Sequence, residues 1–212
     1  MTSFIEPGIL ARHGPRTAPI PVVFDSPHSG SDYPADFGYA CPFKLLRHAE
    51  DWHVDRLFDH APAVGATLIA ALFPRSYIDV NRAVEDIDPQ LLEQPWPGPV
   101  ATSDKTRVGM GLVRRVCKPG LSMYERRLSV TEVKRRIDGY YVPYHRAVAA
   151  AIEEARARFG TAWHVNCHSM PSSGGARGPA SSWERADFVL GDRDGTTCAV
   201  EFRSMIQGTL ER

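Results

Sequence analysis

Two histidine-bearing segments could do chemistry, Asp25-Ser26-Pro27-His28-Ser29-Gly30 and Asn166-Cys167-His168-Ser169-Met170. Each ends an apolar run, Val22-Val23-Phe24 before the first and residues 163–165 before the second. Each sets a histidine where a strand should stop and a loop begin. In open α/β sheets, ligands bind at the carboxyl ends of strands. Two neutral imidazoles converging there make a pair of ligands for a divalent metal, with zinc the first choice. A hydrolytic zinc site takes about three protein ligands and keeps a position open for water. The third ligand should be a carboxylate, and residues 44–60 offer Glu50, Asp51 and Asp55. The spacing there predicts a helix, with Leu45, Leu46, Ala49, Trp52 and Leu57 toward the core. Asp51 and Asp55 would then share a face one turn apart, with His48 on the same side. Such a face is usually only solvated, but this one starts shortly after the His28 loop.

A second cluster is Arg75-Ser-Tyr-Ile-Asp79-Val-Asn81-Arg82, which also follows an apolar strand. Arginine forms bidentate bonds with carboxylates, and asparagine adds oriented donors, so a carboxylate-binding site is one reading. An internal salt bridge from Asp79 to Arg75 or Arg82 is the other. Gly109-Met-Gly-Leu-Val-Arg114 carries two glycines that permit close backbone approach. It is not a dinucleotide fingerprint, because position 114 is arginine. His145 sits mid-helix as a packed or supporting histidine. Residues 172–179, Gly/Ser-rich with Arg177 inside, read as a mobile loop beside His168. A GxSxG elbow is missing, which argues against a serine hydrolase of the α/β-hydrolase kind.

The elements that must position these groups follow from periodicity. Residues 1–21 read as a Pro-rich arm. Strands are predicted at 22–24, 67–73, 77–80, 163–167 and 188–190, and a long loop at 85–107. Ser129-Val-Thr-Glu132 is a capping box that opens a helix running to Phe159, closed by Gly160 and kinked or split at Pro143. Strands alternating with helices predict one α/β domain, a mixed and mostly parallel sheet with helices on both faces.

The 212 residues are 43% hydrophobic and 24% charged, with 25 acids and 25 bases. That balance gives no global field for nucleic acid or a membrane surface. No apolar run approaches the ~20 residues of a membrane span. The first residues lack the basic start and apolar stretch of a signal peptide. Four scattered cysteines without a CxxC pair suit a reduced, cytoplasmic protein.

Taken together, Ser26-Pro-His28-Ser-Gly30, residues 51–55, 75–82 and 109–114, Pro143-Tyr-His145 and His168-Ser-Met170 resemble the N-formylglutamate amidohydrolase family. The resemblance runs over almost the whole chain from about Pro21. That family is grouped with zinc carboxypeptidase-like and aspartoacylase-like hydrolases. The resemblance therefore implies a zinc-dependent amidase with a phosphorylase/hydrolase-like α/β fold. It makes His28, an acid of the Glu50/Asp51 pair and His168 the ligands. Asp51 is preferred because it heads an Asp-x-x-x-Asp stretch typical of the family. Asn81-Arg82 resembles the pair that holds a substrate carboxylate, and Arg75 and Arg114 join it as substrate-binding candidates. The implied reaction turns N-formyl-L-glutamate into formate and L-glutamate. The implied partner is a small N-acyl amino acid, with neither nucleic acid nor membrane. A relative acting on another N-acyl amino acid or a peptide, and a non-catalytic binder, are the alternatives. Family members usually continue with an Asn-x-Pro-Tyr-x-Gly stretch and a late strand bearing a glutamate, the general base of carboxypeptidase-like mechanisms. This chain is expected to lack that segment, which leaves Asp79 and Glu201 as first candidates for the base.

Overall fold

The first residues, expected as an arm, instead supply two strands. Phe4–Glu6 (β1) and Leu10–His13 (β2) pair antiparallel, joined by a turn in which Gly8 takes a φ of 71° that glycine adopts without strain. Leu10 and Ala11 are buried in the core. Strands of three and four residues are too short for their periodicity to be read. The computed structural model describes residues 2–171 and 186–212.

Val22–Ser26 (β3) follows, then two short helices, Phe43–Leu46 (α1) and Val54–Leu57 (α2), then Thr67–Ala71 (β4). Asp104–Arg107 (α3) precedes a small hairpin of Val116–Lys118 (β5) and Leu121–Ser122 (β6). Val130–Arg136 (α4) and Val142–Phe159 (α5) lead to Trp163–Asn166 (β7), and Val200–Leu210 is α6. The main sheet has the order β1-β2-β4-β3-β7. It is a mixed α/β sheet: β3 runs parallel to both β4 and β7, while β1, β2 and β4 pair antiparallel. The register sets Asp25 opposite Asn166. The carboxyl ends of β3 and β7 therefore lie side by side, and His28 and His168 leave the sheet at one place.

Alternation along β3 decides what covers each face. Asp25 points to α5, where the Tyr144 hydroxyl donates to it at 2.7 Å, and Ala147, Val148, Ala151 and Ala155 of that helix are buried. Phe24 points the other way, against Phe58 at 5.3 Å between ring centres. The long helix begins as predicted, with Ser129 Oγ accepting from the Glu132 backbone N–H at 3.1 Å. It ends at Gly160 with φ 75°. The irregularity expected at Pro143 takes the form of a wide π-type turn, Ile137–Tyr141, between α4 and α5. A wider turn relieves the bond that proline cannot make and the clash its ring would cause.

Two predicted strands are absent. Residues 77–80 are turns set off by Pro74, with Tyr77 N–H bonded to Pro74 O and Arg82 N–H to Asp79 O. Their apolar side chains are buried all the same, which is why the pattern mimics a strand. Residues 188–190 are irregular and exposed. Three apolar residues are too few to distinguish a strand from coil. The chain divides into two compact units, Met1–Ser169 and Met170–Arg212. The first holds the sheet, α1 to α5 and every candidate ligand. In the second, the described regular element is α6.

Gly30 seats the His28 loop against the end of β4. A Cβ there would lie 2.4 Å from the Leu72 carbonyl carbon and the Phe73 carbonyl oxygen. Both are backbone atoms, so relief requires main-chain movement. Gly30→Ala should cost about 1–3 kcal/mol or more, a fall of at least about 2 °C in melting temperature for a chain of this size. Thermal unfolding followed by circular dichroism measures it, and an unchanged melt would show that the loop is not held as described.

Candidate metal centre

The helix expected over 44–60 breaks in the middle. A tight turn at Arg47–Ala49 follows α1, Glu50 is extended (φ −74°, ψ 141°), and His53 is left-handed (φ 62°) before α2. The Asp51 N–H bonds to the His28 carbonyl at 2.9 Å. This tertiary bond overrides a weak helical preference, since Asp, Trp and His are indifferent helix formers. Asp51 and Asp55 consequently do not share a helical face. Asp51 is turned inward and is 7% exposed, whereas Trp52, expected in the core, is 49% exposed. Leu57 is exposed as well. Glu50 accepts from the Tyr33 hydroxyl and from Arg47, so its carboxylate is already engaged away from the histidines.

Three donor atoms close into a triangle. His28 Nδ1 and His168 Nδ1 are 3.1 Å apart. Asp51 Oδ2 lies 2.8 Å from His168 Nδ1 and 3.4 Å from His28 Nδ1. His28, Asp51 and His168 thus form a group able to hold a metal ion. Burial is graded, with His28 and Asp51 inside and His168 open to solvent on one side. The outer nitrogen of each ring is spoken for. His28 Nε2 is 2.7 Å from Asp79 Oδ1, so Nε2 carries the proton and Nδ1 presents its lone pair inward. His168 Nε2 accepts from Asn81 Nδ2 at 3.1 Å, so Nδ1 carries the proton and donates to Asp51 Oδ2 at 2.8 Å. The His28 lone pair and the Asp51 carboxylate face inward beside His168 Nδ1, and release of the His168 proton leaves three acceptor atoms around one point, a set that only a cation can satisfy together. The donor set, two imidazoles and one carboxylate, therefore fits a divalent metal.

Asp79 is fully buried, and each of its oxygens is used. Oδ1 accepts from His28 Nε2 and from the Asn81 N–H at 3.0 Å; Oδ2 accepts from Arg75 Nη2 at 2.8 Å and Nε at 3.2 Å. Burial alone would raise its pKa, but the bond and charge of His28 and the charges of Arg75 and Arg82 hold it well below the ordinary carboxylate range. Asp51 is likewise lowered against the effect of burial, by bonds to His168 and His28 and by the charges of His28 and Arg75. Arg75 Nη1 also lies 3.8 Å from Asp51 Oδ1. The internal salt bridge weighed for Asp79 is thus present, with Arg75.

Arg82 donates to two carbonyls, Met110 O at 3.3 Å and Asn81 O at 2.9 Å. The 109–114 loop runs alongside, with Asp79 N–H bonded to Leu112 O at 2.8 Å. Gly111 is required for that approach, because a Cβ there would meet Asp86 O at 2.6 Å. Arg114 at the end of this loop is buried, and its Nε has no hydrogen-bond partner. Burial first, with the neighbouring charges of Arg75 and Arg82, lowers its pKa to about 10. His145 is a supporting histidine, its Nε2 2.9 Å from the Val80 carbonyl beside Asn81.

Sequence reading missed the network beneath the site. Asp25 Oδ1 is 2.8 Å from His164 Nε2, Oδ2 accepts from Tyr144, and the Asp25 carbonyl accepts from Cys167 N–H at 2.7 Å. The one available signal was an acid at the end of an apolar strand, which must find partners if buried. The predicted loop at 172–179, with Arg177, lies outside the described residues. Glu201 is exposed on α6.

A sheet that brings His28 and His168 together at the carboxyl ends of adjacent parallel strands, with Asp51 beside them and arginines alongside, has the plan of a candidate metal-binding site. Residues 20–212 match the family described as N-formylglutamate amidohydrolase, and the chain belongs to that family. The crystal structure of N-formylglutamate amidohydrolase from Ralstonia eutropha JMP134 is 46% identical, with a TM-score of 0.89 over 96% of this chain and 73% of that one. The N-formylglutamate deformylase of Pseudomonas aeruginosa is 29% identical over 84% of this chain. That of Pseudomonas putida is 27% identical over 89%. The chain spans 62% and 65% of the lengths of these two relatives.

The geometry separates the neighbouring acids. Asp51→Ala should abolish stoichiometric zinc in the purified chain, whereas Glu50→Ala should retain it; elemental analysis reads both, and the reverse order would move the ligand by one residue. Asp79→Asn should weaken metal binding by about 10–100-fold, the usual effect of removing a ligand's outer partner. A chelator-competition titration measures this, and an unchanged affinity would show that Asp79 does not orient His28.

Proposed function

We propose that this chain is a zinc-dependent amidohydrolase that cleaves N-formyl-L-glutamate to formate and L-glutamate. The observation that carries the reading is the His28, Asp51 and His168 triangle lying beside Arg82 and Arg114, neither of which is hydrogen-bonded to a carboxylate. The family membership and the names of the relatives support the substrate. Two imidazoles and a carboxylate are a zinc donor set, and three protein ligands leave a position for water or substrate. Bound zinc polarises an amide carbonyl and lowers the pKa of its water to about 7.

The chain's own residues supply orientation and charge. Asp79 fixes the proton of His28 on Nε2 and so keeps Nδ1 available. Asn81 Nδ2 donates to His168 Nε2 and orients that ring, and His168 must give up its Nδ1 proton to become a ligand. Asn81 and Arg82, with Arg114 and the Arg75 that braces Asp79, form the cationic wall that takes a substrate carboxylate and sets the scissile amide at the metal. Asp79 is unsuited to act as general base, because both its oxygens accept hydrogen bonds and its pKa is held low. No helix among the described residues is long and apolar enough to cross a membrane. Four free cysteines fit the reducing cytoplasm in which we place the protein.

Formate release from N-formyl-L-glutamate, followed by a coupled dehydrogenase assay, tests the reaction. Activity should require zinc, disappear with chelator and return when zinc is restored. Turnover that persists in chelator, or a zinc-loaded protein that leaves the substrate intact, would overturn the proposal. Arg82→Lys should raise KM by about 10-fold with zinc still bound, since lysine lacks the planar fork. Loss of zinc in that variant would make Arg82 a structural residue instead.

A further inference from the structure

Three arginines, Arg75, Arg82 and Arg114, stand against two carboxylates, Asp51 and Asp79, and two of the three are bound to neither. Arg75 is matched by Asp79, with Asp51 nearby. Arg82 donates only to backbone carbonyls, and the buried Arg114 Nε has no hydrogen-bond partner; the charge of Asp79 acts on both, and that of Asp51 on Arg114, without direct contact. The two lie on adjoining segments, tied together where Arg82 Nε donates to Met110 O and where Asp79 N–H meets Leu112 O. A substrate that satisfies both must bring two negative charges.

We propose that Arg82 and Arg114 each take one carboxylate of an N-acyl dicarboxylic amino acid, and that Arg114 is the residue that selects acidic over neutral side chains. The proposal rests on the amidohydrolase reading. The α-carboxylate of any N-acyl amino acid is two bonds from the amide nitrogen, so it must be held next to the metal. Asn81-Arg82 is placed for this, because the Asn81 amide touches His168 at 3.1 Å. Arg114 is the deeper cation, 8% exposed, whereas Arg82 is half-buried and open to water. A neutral side chain would close over Arg114 and leave a buried guanidinium unpaired, which costs its full desolvation. Water can serve Arg82 when a ligand does not. Discrimination therefore belongs to Arg114.

The test compares kcat/KM for N-formyl-L-glutamate and its isostere N-formyl-L-glutamine in the zinc-loaded wild type, Arg114→Met and Arg114→Lys. The wild type should prefer the acid by at least about 100-fold, as polar sites do against an analogue that leaves them unpaired. Arg114→Met should lose that factor on the acid and change by less than about threefold on the amide. Arg114→Lys should fall between. An equal drop in kcat on both substrates, or a retained preference, would overturn the proposal. Thermal melts and zinc content show whether each variant is folded. Independently of any variant, calorimetry on the wild type should find glutarate binding at least about tenfold more tightly than its monoamide, and equal binding would overturn the proposal. If no formyl amino acid is hydrolysed, the amidohydrolase reading fails while the glutarate comparison still decides the role of a paired-cation site.

Discussion

The buried carboxylate of Asp79 is the constraint on which the rest of the site depends. A fully buried acid must find positive or N–H partners, and Asp79 finds four donors on three residues, His28, Arg75 and Asn81. In satisfying itself it fixes the tautomer of His28, the position of Arg75 and the main chain of Asn81, whose side chain reaches His168. Removing it would leave three groups to reorient at once, so the His28, Asp51 and His168 triangle, Arg75 and Asn81 belong to a single hydrogen-bonded unit. The turn that carries Asp79 is held in turn by Leu112 and, through Val80, by His145.

The sheet supplies the second requirement, proximity. Parallel pairing of β3 with β7 delivers two histidines, 140 residues apart in sequence, to one edge of the sheet. Asp25 stiffens that edge by joining Tyr144 of α5 to His164 of β7. Its carbonyl also receives the N–H of Cys167, next to His168. Alternation along β3 sets the neighbouring roles: Asp25 faces the helix, Phe24 the opposite layer. Asp51 then enters by a main-chain bond to His28 itself, so that ligand's position depends on the loop it approaches.

Much of this was legible in the amino-acid sequence, and the reasons differ by element. β3, β4, β7 and the capped helix at Ser129 were readable because their apolar periods and their caps are local signals. His28 and His168 were readable because each ends such a strand. Asp51 joins the two histidines although the helix whose face should carry it does not form. Its inward turn comes from a tertiary bond that no local pattern encodes. The β1–β2 hairpin was hidden by its brevity, and residues 77–80 by burial that imitates a strand. The role of Asp79 toward His28 was not visible, because a carboxylate between arginines looks like a salt bridge until the histidine 51 residues away is placed beside it.

The central claim is that His28 Nδ1, His168 Nδ1 and Asp51 Oδ2 hold one zinc ion. A crystal of the zinc-loaded protein, with anomalous data collected on both sides of the zinc absorption edge, tests it directly. The account predicts one strong peak within about 2.0–2.2 Å of all three atoms, the usual lengths of zinc bonds to nitrogen and oxygen. A peak held by other residues, or an empty triangle in a protein that binds zinc, would contradict it.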